Sequence, residues 1–455
     1  MSERLIAECR SAIPLGAYGS EHASYYLFLS SSGAYAISTE LGATREAPSL
    51  AETFPLFGWD EREMQDEWAV RMLNLPDARP LRAQNGVMPE AVLANGTGVM
   101  HAVVGPVHAG IIEPGRFTFS SGGETVVHLD AQLSYAHRGV EQKLAGMPVL
   151  DAAPFVARIC GGCSASRSFS YARALETLAA VEIDPGVDLA RLVVAELERL
   201  YNHLADLAAS AAAAGSGPGF ARGMAVKERA MRLCQLASGH RLLFDAIVPG
   251  GVSAPTLRDI PPVLADLSAL RTAVESYLDK LFANVSLVAR WHGAGIVDHA
   301  TAQAFGAVGP AQRASKGQVD IRTFVPYGAY RSIPARAAYA SAGDAFARCR
   351  VKRDEIRESF RLIGEALRQL ETTPRPAAKT INVPAGFSIG VTEGPRGTET
   401  VAVHVDKTGR LERIHVISAS YRNWPIVARA MDGNIVPDFP LVNKSFNLCY
   451  ACVDR

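Results

Sequence analysis

Apolar residues recur at helical spacing in three long stretches. Within Asp188 to Ala214, Leu197, Leu200, Tyr201, Leu204 and Leu207 fall three or four positions apart, and 261–288 and 341–370 read the same way. The first predicts a long amphipathic helix in an alanine-rich, closely packed setting. Tyr25 to Ile37 reads as strand with Ser30 to Gly33 as its turn, and Trp59 to Leu73 as helical or mixed. Pro76 to Asn95 carries Pro76, Pro80, Pro89 and Gly86, a linker composition that ends one element without starting another. From Val104 to Leu129, β-branched and aromatic residues alternate among Gly105, Gly110, Gly115, Gly122 and Gly123, which predicts short strands with tight turns. Strand-like alternation returns over 374–405. The pattern predicts an α+β protein: a helix-rich core, a long helical bundle, with peripheral β elements and a small N-terminal α+β appendage. The expected divisions are 1–85 for the appendage, 86–100 for a linker and 101–455 for the main domain.

Composition narrows the class. Lys plus Arg is 46 and Asp plus Glu is 46 in 455 residues, so the chain has zero formal charge and no overall field to steer it toward nucleic acid or an anionic membrane. A hydrophobic share of 48% with 20% charged residues excludes wholesale disorder. Asp206, Asp245 and Arg290 interrupt the best apolar stretches short of the roughly 18 to 20 residues a bilayer-spanning helix needs. Glu3, Arg4, Glu8 and Arg10 break any secretory apolar run at the start, so a cytoplasmic location is expected.

Four of the seven cysteines form two Cys-x-x-Cys pairs, Cys160/Cys163 and Cys449/Cys452. The first precedes 164–182, which has a helical composition. There Ser164 is a candidate cap, the unpaired N–H groups favour thiolates, and Gly161 and Gly162 let the backbone crowd a metal. Four thiolates suit zinc, iron or nickel rather than magnesium or calcium. Structural zinc is the ordinary outcome for two such pairs, but zinc ribbons draw them from neighbouring knuckles, whereas these lie at opposite ends of the main domain. Cys9, Cys234 and Cys349 are far apart and in no cluster motif, so no iron-sulfur cluster is expected in this chain.

Several motifs occur in a fixed order: Gly105-Pro-Val-His108-Ala-Gly-Ile-Ile-Glu113-Pro-Gly, Gly123-Glu124, His137-Arg138-Gly-Val-Glu141, Arg158-x-Cys-Gly-x-Cys163, Glu393-Gly-Pro-Arg396-Gly and a closing Cys-x-x-Cys-x-x-Arg455. Over about residues 95 to 455 the chain resembles the large subunit of group 4 nickel-iron hydrogenases. These are energy-converting enzymes of the formate hydrogenlyase type, homologous to the quinone-site large subunit of respiratory complex I (the NADH dehydrogenase 49 kDa subunit family). The complex I pattern is also carried by Glu198-Arg-Leu-Tyr-Asn-His203-Leu, by Gly309-Pro-x-x-Arg313-Ala-Ser and by Asp320-x-Arg322. Arg62-Glu63-x-x-Asp66 and Pro76-Asp77-x-Arg79 resemble the end of the small complex I subunit fused ahead of this domain in some relatives.

The resemblance implies that Cys160 and Cys449 bind nickel terminally, while Cys163 and Cys452 bridge nickel to an iron carrying carbon monoxide and cyanide. Glu113 would relay protons, with Cys449 as the thiolate partner, and Arg396 would hang over the open metal position. His108, Arg158, Glu141 and Arg167 are expected around the cofactor, Glu141 in a supporting or structural place. Arg167 stands where the family usually has His, Asn447-Leu448 where most members have Asp-Pro, and Arg116 in place of the His after Glu-Pro-Gly. The implied partners are an iron-sulfur small subunit like the cluster-bearing complex I subunit, membrane-arm subunits and maturation proteins. The implied location is peripheral, on the inner face of the cytoplasmic membrane. The alternative is a complex-I-like electron-transfer or quinone-reactive subunit with a divergent or absent metal centre.

Overall fold

The computed structural model describes residues 2–108, 112–374 and 378–455. Ala109, Gly110 and Ile111 of the first motif lie outside the described residues, as do 375–377 of the 374–405 stretch.

The N-terminal unit is built on an antiparallel sheet of Ile13–Gly19, Ala23–Ser30 and Gly33–Glu40, in that order, with the expected turn between the second and third strands. The mixed reading of 59–73 resolves into a helix, Gly58–Trp68, and a strand, Arg71–Leu73, that pairs in parallel with Glu46–Pro48. Ala69 separates them by entering the left-handed region at φ 49°, which stops the helix. Tyr26, Phe28, Phe57, Met64 and Met72 belong to a core of this unit's own.

Between Leu73 and Val99 the chain forms neither helix nor strand beyond a single Gln84–Val87 bridge. It is nonetheless fixed to the Gly58–Trp68 helix. Arg62 donates to the carbonyls of Arg79 and Pro80, and Asp66 accepts the N–H groups of Leu81 and Arg82.

Beyond it, Val99–Val104, Arg116–Gly122 and Thr125–Gln132 form an antiparallel sheet. The body is helical and centred on Pro185–Ala213, which packs against Gly217–Ser238 and Ala345–Leu370. The expected amphipathic character of this central helix is not what the fold uses. Glu196, Glu198, Arg199, Asn202, His203 and Asp206 are as buried as the leucines between them, because neighbouring elements cover both faces. Each polar group must then find a partner inside. His203 Nε2 meets Glu355 at 2.7 Å, Arg199 donates to Glu355 at 3.1 Å, and Lys352 pairs with Asp206 at 2.7 Å.

The 261–288 stretch divides into Ile260–Phe282 and Val285–Trp291, because Asn284 caps the second helix by accepting from the Leu287 N–H. The last sheet, Gly386–Gly394, Gly397–Val405 and Leu411–Ile417, lies on the Ser164–Leu178 helix. The approach at Gly390 is so close that a Cβ there would stand 1.8 Å from the Ser170 carbonyl oxygen. The architecture is α+β, as expected. Among the described residues no helix is long and apolar enough to cross a membrane.

Candidate metal centre

The Cys160–Cys163 loop joins the Val149–Ala157 helix to the Ser164–Leu178 helix and is held from below by the central helix. Tyr201 donates its hydroxyl to the Gly161 carbonyl, and Asn202 its amide to the Gly162 carbonyl, both at 2.9 Å. Gly162 keeps this contact close: a Cβ would sit 3.2 Å from both Arg396 Nη1 and Asn202 Oδ1, tight enough that one of them would have to give way by a few tenths of an ångström.

The helix start differs from the expected one. Ser164 does not cap; its hydroxyl donates to the Leu242 carbonyl, and Cys163 occupies the cap position without a side-chain bond. The free N–H groups of the first turn are taken by the Glu198 carboxylate, from Ala165 at 2.6 Å and Ser166 at 2.9 Å. A buried carboxylate satisfies the positive helix end better than a thiolate, which leaves Cys160 the N–H of Gly162 at 3.2 Å. Burial pushes the Glu198 carboxyl up to about 7, against the pull of these bonds.

The second pair arrives from the Phe439–Phe446 helix, which Asn447 ends in the left-handed region at φ 50°, a conformation asparagine tolerates. Ser420 accepts the Cys449 N–H at 2.9 Å, and Cys452 lies in the short helix Ala451–Asp454. Arg138 joins the two segments by donating to the Ile159 and Ala451 carbonyls, each at 2.9 Å.

Cys160 and Cys449 stand 3.1 Å apart, sulfur to sulfur, and Cys163 and Cys452 3.8 Å. The sulfurs of Cys160, Cys163 and Cys452 all lie within 4.8 Å of one another. Metal–sulfur bonds of about 2.3 Å place two ligands of one ion at most about 4.6 Å apart, so the donor set fits a thiolate-bound metal centre. Cys449 is half-buried and marks the more open side, while the other three are buried. Hydrogen bonds from Cys163, Cys449 and Cys452 hold the Cys160 thiol well below its usual range, and donating those bonds, together with burial and the Cys160 charge, holds Cys163 and Cys449 up. A cation that replaces these protons relieves that mutual repulsion.

Two arginines flank the sulfurs, Arg167 buried and Arg396 half-buried. Arg396 donates to Asn202 Oδ1 at 3.0 Å and to the Asn447 carbonyl at 2.6 Å, with Nη1 3.8 Å from Cys163 Sγ. Arg167 is fully buried, with Nη2 3.2 Å from Cys452 Sγ and 3.0 Å from Glu399, while its Nε and Nη1 have no hydrogen-bond partner. Burial raises the Glu399 carboxyl to about 7 even with Arg167 beside it. Glu113 is exposed and accepts the Ala451 N–H; its partial burial raises its carboxyl, opposed by Arg138 and assisted by Cys452.

The other sequence-named residues lie apart from the thiols. His108 Nε2 meets the Gly115 carbonyl at 2.7 Å and closes its own loop. Glu141 binds Arg455 and His415, each at 3.0 Å. Arg158 turns outward to form a two-pronged pair with Asp245. Conversely, Arg138, Glu198, Asn202 and Glu399 do work that the sequence reading did not assign. The first three stand inside the motifs that carried the resemblance, whereas Glu399 sits in a strand with no signal of its own.

The helix-rich body thus brings two Cys-x-x-Cys segments from distant parts of the sequence together beside its central helix. The chain belongs to the family described as respiratory-chain NADH dehydrogenase, 49 Kd subunit, which matches residues 214–380 and 375–455. It is 27% identical over 469 residues to formate hydrogenlyase subunit 5 of Escherichia coli (strain K12), covering 95% of this chain and 82% of that protein. It is 28% identical to the carbon monoxide-induced hydrogenase of Rhodospirillum rubrum, covering 77% of this chain and 98% of that protein. It shares its fold with a chain of the membrane-bound sulfane sulfur reductase, an archaeal respiratory membrane complex, at a TM-score of 0.72 and 23% identity, over 79% of this chain and 99% of that one.

Proposed function

We propose that this chain is the catalytic subunit of a group 4 nickel-iron hydrogenase, cleaving H₂ heterolytically or forming it from protons and electrons. The observation that carries the reading is the closure of Cys160, Cys163, Cys449 and Cys452 into one buried donor set between Arg167 and Arg396. In this reading Cys160 and Cys449 would be ligands of nickel, and Cys163 and Cys452 would be ligands shared with an iron that carries carbon monoxide and cyanide. When bound, the metal pair supplies the Lewis acid at which H₂ is polarised and its electrons are taken up. The chain's own groups manage the rest. Cys449, on the open side, accepts the proton and passes it to Glu113, whose exposed carboxyl hands it to solvent. Arg396 presents a fixed cation beside Cys163, held in place by Asn202 and the Asn447 carbonyl.

Electrons leave to an iron-sulfur small subunit, and the assembly includes membrane-arm subunits that keep this chain at the inner face of the cytoplasmic membrane. Exposed Leu150 and Phe155, on the helix that leads into Arg158, support docking of that partner on the Cys160 side. The test is elemental analysis and infrared spectroscopy of the complex purified from a host with the maturation proteins. About one nickel and one iron per chain, with bands of diatomic ligands, are expected. Stoichiometric zinc without nickel would overturn the reading.

A further inference from the structure

Arg455 follows directly on the short helix that carries Cys452, and its guanidinium is fully enclosed, with 1% of the residue exposed. Nη2 donates to both carboxylate oxygens of Glu63, at 2.5 and 2.6 Å, and Nη1 donates to Glu141 at 3.0 Å and to the Val416 carbonyl. Tyr421 lies with its ring 4.8 Å from the guanidinium carbon and donates its hydroxyl to Glu63 at 2.9 Å. Glu63 belongs to the Gly58–Trp68 helix of the N-terminal unit, 392 positions away in sequence, where Arg82 also pairs with it. The main domain also holds the terminal segment: the Arg138 N–H reaches the Arg455 carbonyl at 2.9 Å, His137 Nδ1 meets the Asp454 carbonyl at 2.7 Å, the Ala136 N–H reaches Asp454 at 3.1 Å, and Ser418 donates its hydroxyl to the Cys452 carbonyl at 3.4 Å.

From this we infer that Glu63 is a positioning residue for the metal centre: by anchoring Arg455 it holds the terminal helix down and keeps Cys452 against Cys163. The N-terminal unit is then part of the closure of the site. The inference rests on the four cysteines being the ligand set. Its physical basis is that a buried bidentate carboxylate–guanidinium pair is directional, and that removing one member leaves the other charge uncompensated in the interior. Without Glu63, Arg455 keeps the Val416 carbonyl and the Tyr421 ring, but its remaining carboxylate is Glu141, which is shared with His415. The terminal turn then gains by opening to hydrate the guanidinium, and Cys452, three residues earlier, moves with it.

The test uses the full chain in its complex, as wild type and as E63Q, R455Q and the double variant, with E61Q as control. Glu61 is the neighbouring buried acid, bound to Ser49 and the Leu50 N–H inside the N-terminal unit and making no bond to the terminal helix. Two readouts are taken: nickel and iron retained against a chelator, and, in metal-stripped protein, the alkylation rate of each cysteine by mass spectrometry. E63Q and R455Q are each expected to lose metal faster and to raise Cys452 alkylation by roughly tenfold or more, the order expected when a local opening loses a buried pair. The double variant should be no worse than the more severe single one, and E61Q should leave Cys452 at the wild-type rate. Cys452 alkylation in both single variants within about twofold of wild type, or an equal rise in E61Q, would overturn the inference. Wild-type protein lacking nickel and iron would instead overturn the proposed function, and the alkylation series would still decide the clamp.

Discussion

Replacing Arg167 by glutamine removes a full positive charge from beside Cys452 while keeping a side chain that can donate. In the wild type Nη2 lies 3.2 Å from the sulfur and 3.0 Å from Glu399, with no solvent access. Two unit charges about 4 Å apart at an effective dielectric near 20 interact by about 4 kcal/mol, roughly 170 mV for a one-electron step. Glu399 offsets part of this. Its carboxyl, already raised to about 7 by burial, takes up a proton once Arg167 no longer stabilises the anion, so a negative charge leaves together with the positive one. The net expectation for R167Q is a midpoint potential lowered by roughly 50 to 100 mV, the part of the Coulomb difference that survives this compensation. E399Q leaves Arg167 unopposed and moves the potential upward. In the wild type the potential should also rise on acidification through about pH 7, as Glu399 takes up its proton, and E399Q should abolish that slope. Infrared-monitored potential titrations of the complex at pH 6 and 8, with metal content checked in each variant, measure all three. Shifts of the same sign in R167Q and E399Q, or a change in R167Q under about 20 mV, would refute the electrostatic argument.

The cysteines should sort by position: C163S and C452S are expected to abolish nickel and iron loading, whereas C9S, C234S and C349S retain it, as read by elemental analysis of each variant. E113Q should keep its metals and lose roughly a hundredfold or more of H₂/D⁺ exchange, the usual range for a lost general acid or base; exchange at the wild-type rate would remove Glu113 from the proton path. Asp60 is fully buried, and burial raises its carboxyl from 3.8 to about 8, so the native state binds this proton more tightly than the unfolded chain does. The stability this confers is therefore complete below about pH 4 and is lost as pH rises toward 8. D60N should remove that slope, gaining about 2–4 kcal/mol on wild type between pH 5 and 8 in denaturant melts, and parallel curves would contradict it.

How much of this was legible in the sequence depends on whether a signal is local. The Ser30 to Gly33 turn, a helix within 341–370 and strands within 374–405 follow from spacing and composition, and the structure has them, the helix as Ala345–Leu370 and the strands as Gly386–Gly394 and Gly397–Val405. The central helix and its close packing are legible in the spacing, but the burial of its polar face is not. Leu197, Leu200 and Leu204 at helical spacing look the same whether the opposite face meets water or other helices. The distinguishing fact, that Glu196, Arg199 and His203 meet Tyr330, Glu355 and Ser359, depends on partners about 130 to 160 positions away. Likewise the Trp59 to Leu73 segment could not be resolved until Ala69 was seen to turn left-handed, a conformation alanine adopts only under tertiary constraint.

At the site, motif membership located the neighbourhood and packing decided which atoms face the sulfurs. Arg158, a motif neighbour of Cys160, is drawn outward because Asp245 offers it a two-pronged partner, while Arg138 from another motif takes the inward place between the two cysteine segments. Arg167 shows the same logic with a chemical consequence. A guanidinium brought into a fully buried site needs a counter-charge, and Glu399 supplies one from a strand whose own pattern carries no hint of function. Arg167 and Glu399 therefore act as one charge pair beside Cys452. Because burial raises the acid of this pair to about 7 while the guanidinium beside it stays charged, the net charge next to the sulfur is expected to change with pH near neutrality, and this chain's metal chemistry with it.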